Sequence, residues 1–251
     1  MPAEVLMSET ASRIAKEWGF VPTRELPGGW CSHVYANDSL VLKCPWRGEE
    51  QTSGLYSAQL MEGWFGPAIH RFDPESGTIL MDRIGPGRNM VEAGLREDNA
   101  RLVTVDLIRR LQSRELDFEP SKLSALGGYL RIDHPIKTKL LETSPPPTLI
   151  HGDLHHFNIL ESDAHGWVPI DPKGIFGEPC YEAIAFIRNE LTNPESLEET
   201  RSLVLDRLQF FHDALGYDIW RIAAWGMIDQ LDSGDDWNEN LAKVYQEVVE
   251  R

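Results

Sequence analysis

The sequence predicts an α+β protein built as two unequal lobes, a small strand-rich one followed by a larger, mainly helical one. Three observations carry this expectation. Short, partly β-branched runs lie close to turn-forming residues in the first third of the chain. A Gly85-Pro86-Gly87 break closes that region. Beyond it, apolar residues recur at near-helical spacing, with one strand-rich insert.

Taken in order, the opening segment MPAEVLMSETASRIAKEWGF lacks a basic stretch followed by an apolar run, so it reads as an amphipathic helix rather than a secretory leader. Ile14, Trp18 and Phe20 would form its inward face. Pro27-Gly28-Gly29 and the stretch from Asp73 to Gly77 read as turns. Residues 39–43 (SLVLK) and 78–81 (TILM) read as strands, with a helix at 50–65 between them. Together they make a small mixed sheet with one inserted helix, and residues 1–84 form the first lobe. Residues 85–251 form the second. There, 91–116 predicts a helix with Leu95, Leu102, Val105, Ile108 and Leu111 at near-helical spacing. Pro145-Pro146-Pro147 stops any helix and delivers a strand at Thr148–Ile150. Helices are expected again at 197–216, 218–232 and 237–250.

Composition narrows the class. The chain has 251 residues, 41% of them hydrophobic and 25% charged, which suits a folded protein able to bury a core. No apolar run has the length of a membrane span. Cys31, Cys44 and Cys180 are scattered, with no Cys-x-x-Cys pair, as expected of free thiols in a reducing cytoplasm. The net charge is -16, and residues 190–251 hold 14 Asp or Glu against 5 Lys or Arg, a net of -9. Such a surface repels nucleic acid and anionic membranes and favours cationic ligands. A monomer or weak dimer is expected.

The informative stretch is 150–179, IHGDLHHFNILESDAHGWVPIDPKGIFGEP. A strand ends at Ile150, Gly152 permits a tight bend, and Asp153 then sits on a loop with Asn158 five positions on. A hairpin follows, Ile159-Leu160 returning as Trp167–Ile170, and ends on Asp171. Such a hairpin can bring Asp153, Asn158 and Asp171 to one end of its strands. Two carboxylates and an amide there suit Mg²⁺, a hard cation that prefers oxygen. They also match the needs of phosphoryl transfer: an Asp to accept the hydroxyl proton, and an Asn and a second Asp to hold the metal.

HGDLHHFNIL followed by IDPKGIFGEPCYEAIAF resembles the catalytic and metal-binding segments of the aminoglycoside phosphotransferases. The Asp171-Pro172-Lys173-Gly174 run, with Gly177-Glu178-Pro179 and Tyr181, is similar to the branch that includes streptomycin and hydroxyurea kinases. The resemblance is strong at 148–190 and extends weakly from about residue 20 to the end. It implies a two-lobed protein-kinase-like fold with ATP between the lobes, Asp153 as catalytic base, and Asn158 and Asp171 as Mg²⁺ ligands. His151 would hold the catalytic loop, and His155 could line the acceptor site. A loop at Gly28-Gly29 would cover the phosphates with backbone N–H groups, Ser32 adding a hydroxyl. Lys43 would neutralise phosphate charge, and the adenine edge would meet the backbone of Asp82 and Ile84. One departure stands out: the helix after Lys43 holds no Glu at 52–61 to pair with it. Gln59 occupies the approximate spacing, and Glu49, Glu50 and Glu62 are nearby.

The acceptor is expected to be a small hydroxylated molecule with cationic character, met by Asp229, Asp232, Asp235 and Asp236 beside Trp225 and Trp237. Streptomycin-like aminoglycosides, hydroxyurea, other cationic antibiotics and a housekeeping metabolite all fit. Two other readings of the residues remain open at this stage. His151, Asp153, His155 and His156 could be ligands of a metal-dependent phosphoesterase. A non-catalytic binding module on a kinase-like fold is the other.

Overall fold

The computed structural model describes residues 5–27, 31–46, 50–189, 196–234 and 238–251. Its first helix, α1 (Glu9–Trp18), starts where Ser8 Oγ accepts the Ala11 N–H and stops at Gly19, whose φ of 69° suits a residue without a side chain. Ile14 and Phe20 are buried, as the amphipathic pattern requires. They share a small core with Ala11, Tyr35, Leu42 and Leu80.

That core lies on a five-stranded sheet. Its strands are β1 (Arg24–Glu25), β2 (Ser32–Ala36), β3 (Leu40–Pro45), β4 (Ile69–Asp73) and β5 (Thr78–Asp82), in the order β1-β2-β3-β5-β4. All four pairings are antiparallel, which corrects the mixed sheet expected from sequence. The short turns decide this. Asn37 Oδ1 accepts the Ser39 and Leu40 N–H groups and folds β2 back on β3. Asp73 Oδ2 accepts both the N–H and the hydroxyl of Ser76 and does the same for β4 and β5. Helix α2 (Glu50–Met61) is inserted between β3 and β4 and ends four residues before the expected limit of 65.

Gly85-Pro86-Gly87 is more than a break. Strand β6 (Pro86–Asn89) pairs with β9 (Ile159–Ser162), which pairs in turn with β10 (Gly166–Pro169). Asn89 and Glu92 exchange side-chain and backbone hydrogen bonds, so residues 91–94 form turns rather than helix. Helix α3 (Glu97–Ser113) therefore starts later than expected. Leu102 is 59% exposed, outside the buried stripe of Ala100, Thr104, Val105, Leu107, Ile108 and Leu111. A third small sheet joins β7 (Ser124–Ala125), β11 (Ile175–Gly177) and β8 (Thr148–Ile150). Helices α4 (Leu126–Tyr129), α5 (Pro135–Glu142) and α6 (Ile184–Arg188) are too short to leave a periodic signal in the sequence. The last three, α7 (Leu197–Leu215), α8 (Ile219–Asp232) and α9 (Glu239–Val249), lie within two residues of their expected bounds.

The larger core runs from Met61 and Phe65 through α3, β8 and α6 to α9. At its centre Trp225 is fully buried, its indole N–H bonded to Glu178 Oε2 at 2.8 Å. Arg207 is buried as completely. It donates to Glu97 of α3 and to the carbonyls of Phe186, Ile187 and Asn189, tying α7 to α3 and α6. Among the described residues, no helix is long and apolar enough to cross a membrane.

Candidate active site

A cavity of about 810 Å³ opens between the five-stranded sheet and the helical part. Lys43, Ile79 and Met81 line it from the sheet, Gly54 and Leu55 from α2, and Asp153, Asp171 and Lys173 from the floor.

The floor is built by the loop after β8. Gly152 has φ of 81°, and a Cβ there would lie 2.6 Å from Ile175 Cδ1, so the turn admits only glycine. His151 is fully buried, and its Nε2 lies 3.0 Å from the Ile170 carbonyl. Burial pushes its pKa down to about 4, so it stays neutral as a brace between the loop and the second hairpin strand. Glu182, also fully buried, accepts the N–H groups of His151 and Gly152. Burial lifts Glu182 to about 7 against the pull of those two donors.

Asp153 follows, its carboxylate 14% exposed and met from three sides. Asn158 Nδ2 donates to Oδ2 at 3.1 Å. His155 Nε2 and Arg188 Nη2 lie 3.5 Å from Oδ1, and Lys173 Nζ lies 3.8 Å from Oδ2. Burial opposes ionisation of Asp153, but these neighbours outweigh it and hold the carboxyl well below the usual carboxylate range. Asn158 is also tied to Asp171 through the backbone, since Ile170 N–H donates to the Asn158 carbonyl at 2.8 Å. Asp171 has φ of 63°, a left-handed conformation that costs a residue with a side chain about 1–3 kcal/mol and is concentrated at functional sites.

Lys43 reaches across the cavity to ion-pair with Asp171 Oδ1. Burial acts to raise the Asp171 pKa, and the Lys43 charge and hydrogen bond reverse the sign. Helix α2 presses small residues onto the segment after Asp171. Ser53 Oγ donates to the Lys173 carbonyl at 2.9 Å, and a Cβ on Gly54 would stand 3.0 Å from Pro172 O.

The other residues singled out in the sequence are dispersed. Ser32 is buried on β2, beside the cavity-lining Cys31. Gly28, Gly29, Asp235, Asp236 and Trp237 lie outside the described residues. Asp82 ends β5 with its carboxylate 2.6 Å from His70 Nε2. Ile84 follows two residues on, and the described cavity wall at this edge is Ile79 and Met81. Asp229 and Asp232, on the last turn of α8, both line the cavity. Asp229 is committed: Oδ1 accepts the Tyr181 hydroxyl at 2.8 Å and Oδ2 meets Arg188 Nη1 at 2.9 Å. Asp232 Oδ1 accepts the Ile132 N–H at 2.6 Å. Burial works against the Arg188 charge, yet Asp229 raises its pKa above the ordinary guanidinium value.

Sequence reading assigned no role to Glu182, Lys173 or Arg188. A lysine two positions after Asp171, the aspartate expected to bind metal, was the available signal for Lys173. Arg188 is marked only as the basic end of the apolar run Ile184–Ile187.

The donor set left for a cation is oxygen-based, the Asp171 carboxylate and the Asn158 side-chain carbonyl, which fits Mg²⁺. Among the described residues, no group of three or more His, Cys, Asp or Glu is arranged to hold a metal. The histidines diverge: His156 is buried against Phe186, with ring centroids 4.2 Å apart, while His151 turns to the Ile170 carbonyl.

A family model described as "Aminoglycoside/hydroxyurea antibiotic resistance kinase" matches residues 125–240. The chain is 25% identical over 199 residues to a streptomycin 6-kinase of Streptomyces glaucescens, covering 70% of this chain and 64% of that one. It is 28% identical over 205 residues to a hydroxyurea phosphotransferase of Kitasatospora aureofaciens, covering 70% and 56%. The chain thus spans less than two thirds of the length of these two relatives. Among solved structures, an apo thermostable mutant of aminoglycoside phosphotransferase APH(4)-Ia superposes with a TM-score of 0.60 at 15% identity, over 96% of this chain and 98% of the other. The fold is protein-kinase-like, and the resemblance to the aminoglycoside phosphotransferases holds, with streptomycin and hydroxyurea kinases among the relatives.

Proposed function

We propose that this chain is a small-molecule kinase, an ATP-dependent O-phosphotransferase, and that Asp153, Asn158, Asp171 and Lys43 are its reaction centre. One observation carries the reading: a buried, cation-flanked carboxylate and a strained second carboxylate share one cavity floor, with a strand lysine opposite. The lobe division is placed after Ile84, with Met61 and Phe65 of the first lobe packing into the larger core.

The chain's residues divide the work. Lys43 meets nucleotide phosphates from the sheet, and Gly28, Gly29 and Ser32 are assigned to the same phosphate side. The backbone of Asp82 and Ile84 faces the adenine edge. Asp171 and Asn158 would hold Mg²⁺, which when bound supplies neutralisation of the phosphate charge. Asp153 orients the acceptor hydroxyl and takes its proton, while Asn158 and His155 fix the carboxylate. Glu182 and His151 hold the loop that presents it. The acceptor lies towards the C-terminal end of α8, where Asp232 and the helix dipole favour a cationic group. Asp229 serves the acceptor side through Arg188, and Asp236 stands beyond it in sequence. A streptomycin-like aminoglycoside is the acceptor class that the relatives' names support, in a cytoplasmic setting.

The divergent histidines leave the phosphoesterase reading without a metal cluster among the described residues. The non-catalytic reading is met by the same experiment as the kinase reading. ATP consumption is followed with a panel of aminoglycosides and hydroxylated amines, with mass spectrometry for one added phosphate, and calorimetry measures Mg·ATP binding. Acceptor-dependent turnover, with binding lost in Asp171→Ala, is expected. Unchanged binding in Asp171→Ala would count against the whole reading, and binding without any turnover would favour the binding module.

A further inference from the structure

Lys173 has no assigned role, yet its backbone is fixed from two directions. Its N–H donates to the His151 carbonyl at 2.8 Å, and its own carbonyl accepts Ser53 Oγ at 2.9 Å. The next residue, Gly174, has φ of 69°, and a Cβ there would collide with the Ser53 carbonyl. The catalytic loop on one side and α2 on the other therefore set where the lysine stem begins. The side chain is 20% exposed and lines the cavity. Its ammonium lies 3.8 Å from Asp153 Oδ2.

Lys43, Arg131 and Arg188 also line the cavity. Lys43 pairs with Asp171 from the sheet, and Arg188 is held at 2.9 Å by Asp229 on the α8 side. Lys173 lies two residues after Asp171, the carboxylate proposed to face the nucleotide, and its ammonium lies beside Asp153, the one proposed to face the acceptor. A phosphoryl group in transfer to a hydroxyl held by Asp153 carries its charge spread over three equatorial oxygens. We infer that Lys173 is a catalytic residue of this site, donating an N–H to an equatorial oxygen of the transferring phosphoryl group.

The inference rests on the kinase reading. In the step, the bond from the terminal phosphorus to the bridging oxygen of the nucleotide breaks, and a bond from phosphorus to the acceptor oxygen forms. The hydroxyl proton passes to Asp153 and the nucleoside diphosphate leaves. Lys173 stays protonated throughout. Its contact requires a terminal phosphate, so it separates a triphosphate from a diphosphate, whereas a purely structural lysine would affect both alike.

The test is calorimetry of AMP-PNP and of ADP, each with Mg²⁺, on the wild-type chain and on Lys173→Met, Lys173→Gln and Lys173→Arg, with circular dichroism to verify folding. A charge-assisted hydrogen bond corresponds to about 10- to 100-fold in affinity. Lys173→Met and Lys173→Gln are expected to lower the AMP-PNP to ADP affinity ratio by about that factor while ADP binds as before, and Lys173→Arg to recover most of it. An unchanged ratio in the Met and Gln variants, or an equal loss for both nucleotides, overturns the assignment alone. A wild-type chain that binds neither nucleotide overturns the kinase reading and this assignment with it.

Discussion

Asp153 illustrates how much of an aspartate's chemistry is set by its neighbours. Alone on a loop it would be an ordinary carboxylate. Here Asn158, His155, Arg188 and Lys173 surround it, and the last three flank it at 3.5–3.8 Å. His155, Lys173 and Arg188 at that range together outweigh the cost of burial. A carboxylate held so firmly ionised is a modest base, and in phosphoryl transfer it orients the hydroxyl as much as it deprotonates it. Asp153→Asn keeps the shape and removes both the charge and the proton acceptor. We expect kcat to fall by about 10²–10⁴-fold, with nucleotide affinity nearly unchanged. Steady-state kinetics beside calorimetry checks this, and near-normal turnover would take Asp153 out of the mechanism.

At the scale of elements, two contacts keep the site in register. Helix α2 offers Ser53 and Gly54 to the segment 172–174, so the inserted helix bears directly on the cavity floor. On the far side, Arg207 of α7 joins Glu97 of α3 to the end of α6, the helix that carries Arg188. Burial acts to raise the Glu97 pKa, but the hydrogen bonds and charges of Arg207 and Arg101 bring it down to about 2. A depressed carboxyl pKa stabilises the fold above its ordinary value near 4.5, and that contribution is lost as pH falls from 4.5 towards 2. Glu97→Gln leaves a fully buried guanidinium without its counter-charge, a change that typically costs about 3–5 kcal/mol. We expect a lower Tm at pH 7 and a flatter dependence of Tm on pH below 4.5 than in the wild type. Thermal melts across that range decide it, and parallel curves for the two proteins would remove Glu97 from the acid response.

For the whole molecule the dominant quantity is charge. The net of -16 is weighted towards the end of the chain, yet the cavity itself is mixed, with Arg131, Lys173 and Arg188 among its lining beside Asp153, Asp171, Asp229 and Asp232. On the kinase reading the acid would act on an acceptor in two ways, as a field over the surface and as the local carboxylate of Asp232. Surface fields fade over about 8 Å at physiological ionic strength, whereas contacts inside the cavity persist. A cationic acceptor should show a KM that rises with salt while the KM for ATP changes less, and Asp232→Asn should raise the acceptor KM selectively. A neutral or anionic best substrate with a salt-independent KM would reduce the acidic surface to a solubility device.

What the sequence determined by itself was local. The strand at Thr148–Ile150, the bend at Gly152, the hairpin after Asn158 and the three last helices were all legible. Each is set by neighbours a few positions away: proline and glycine constraints, turn chemistry, and periodicity over more than ten residues. The antiparallel order of the first sheet, the union of β6 with β9 and the short helices α4 to α6 were not legible. Their partners are remote, or their length is too small for a periodic signal. The same limit governs the cavity. Asp153, Asn158 and Asp171 lie within 19 positions and could be read as a set. Lys43 meets Asp171 across 128 positions, and Asp229 reaches Arg188 across 41. Only tertiary packing decided that Lys43 meets Asp171. Only packing turned Asp229 from a free carboxylate into the anchor of an arginine, because a charge takes the partner that burial brings nearest, and burial is a property of the folded chain.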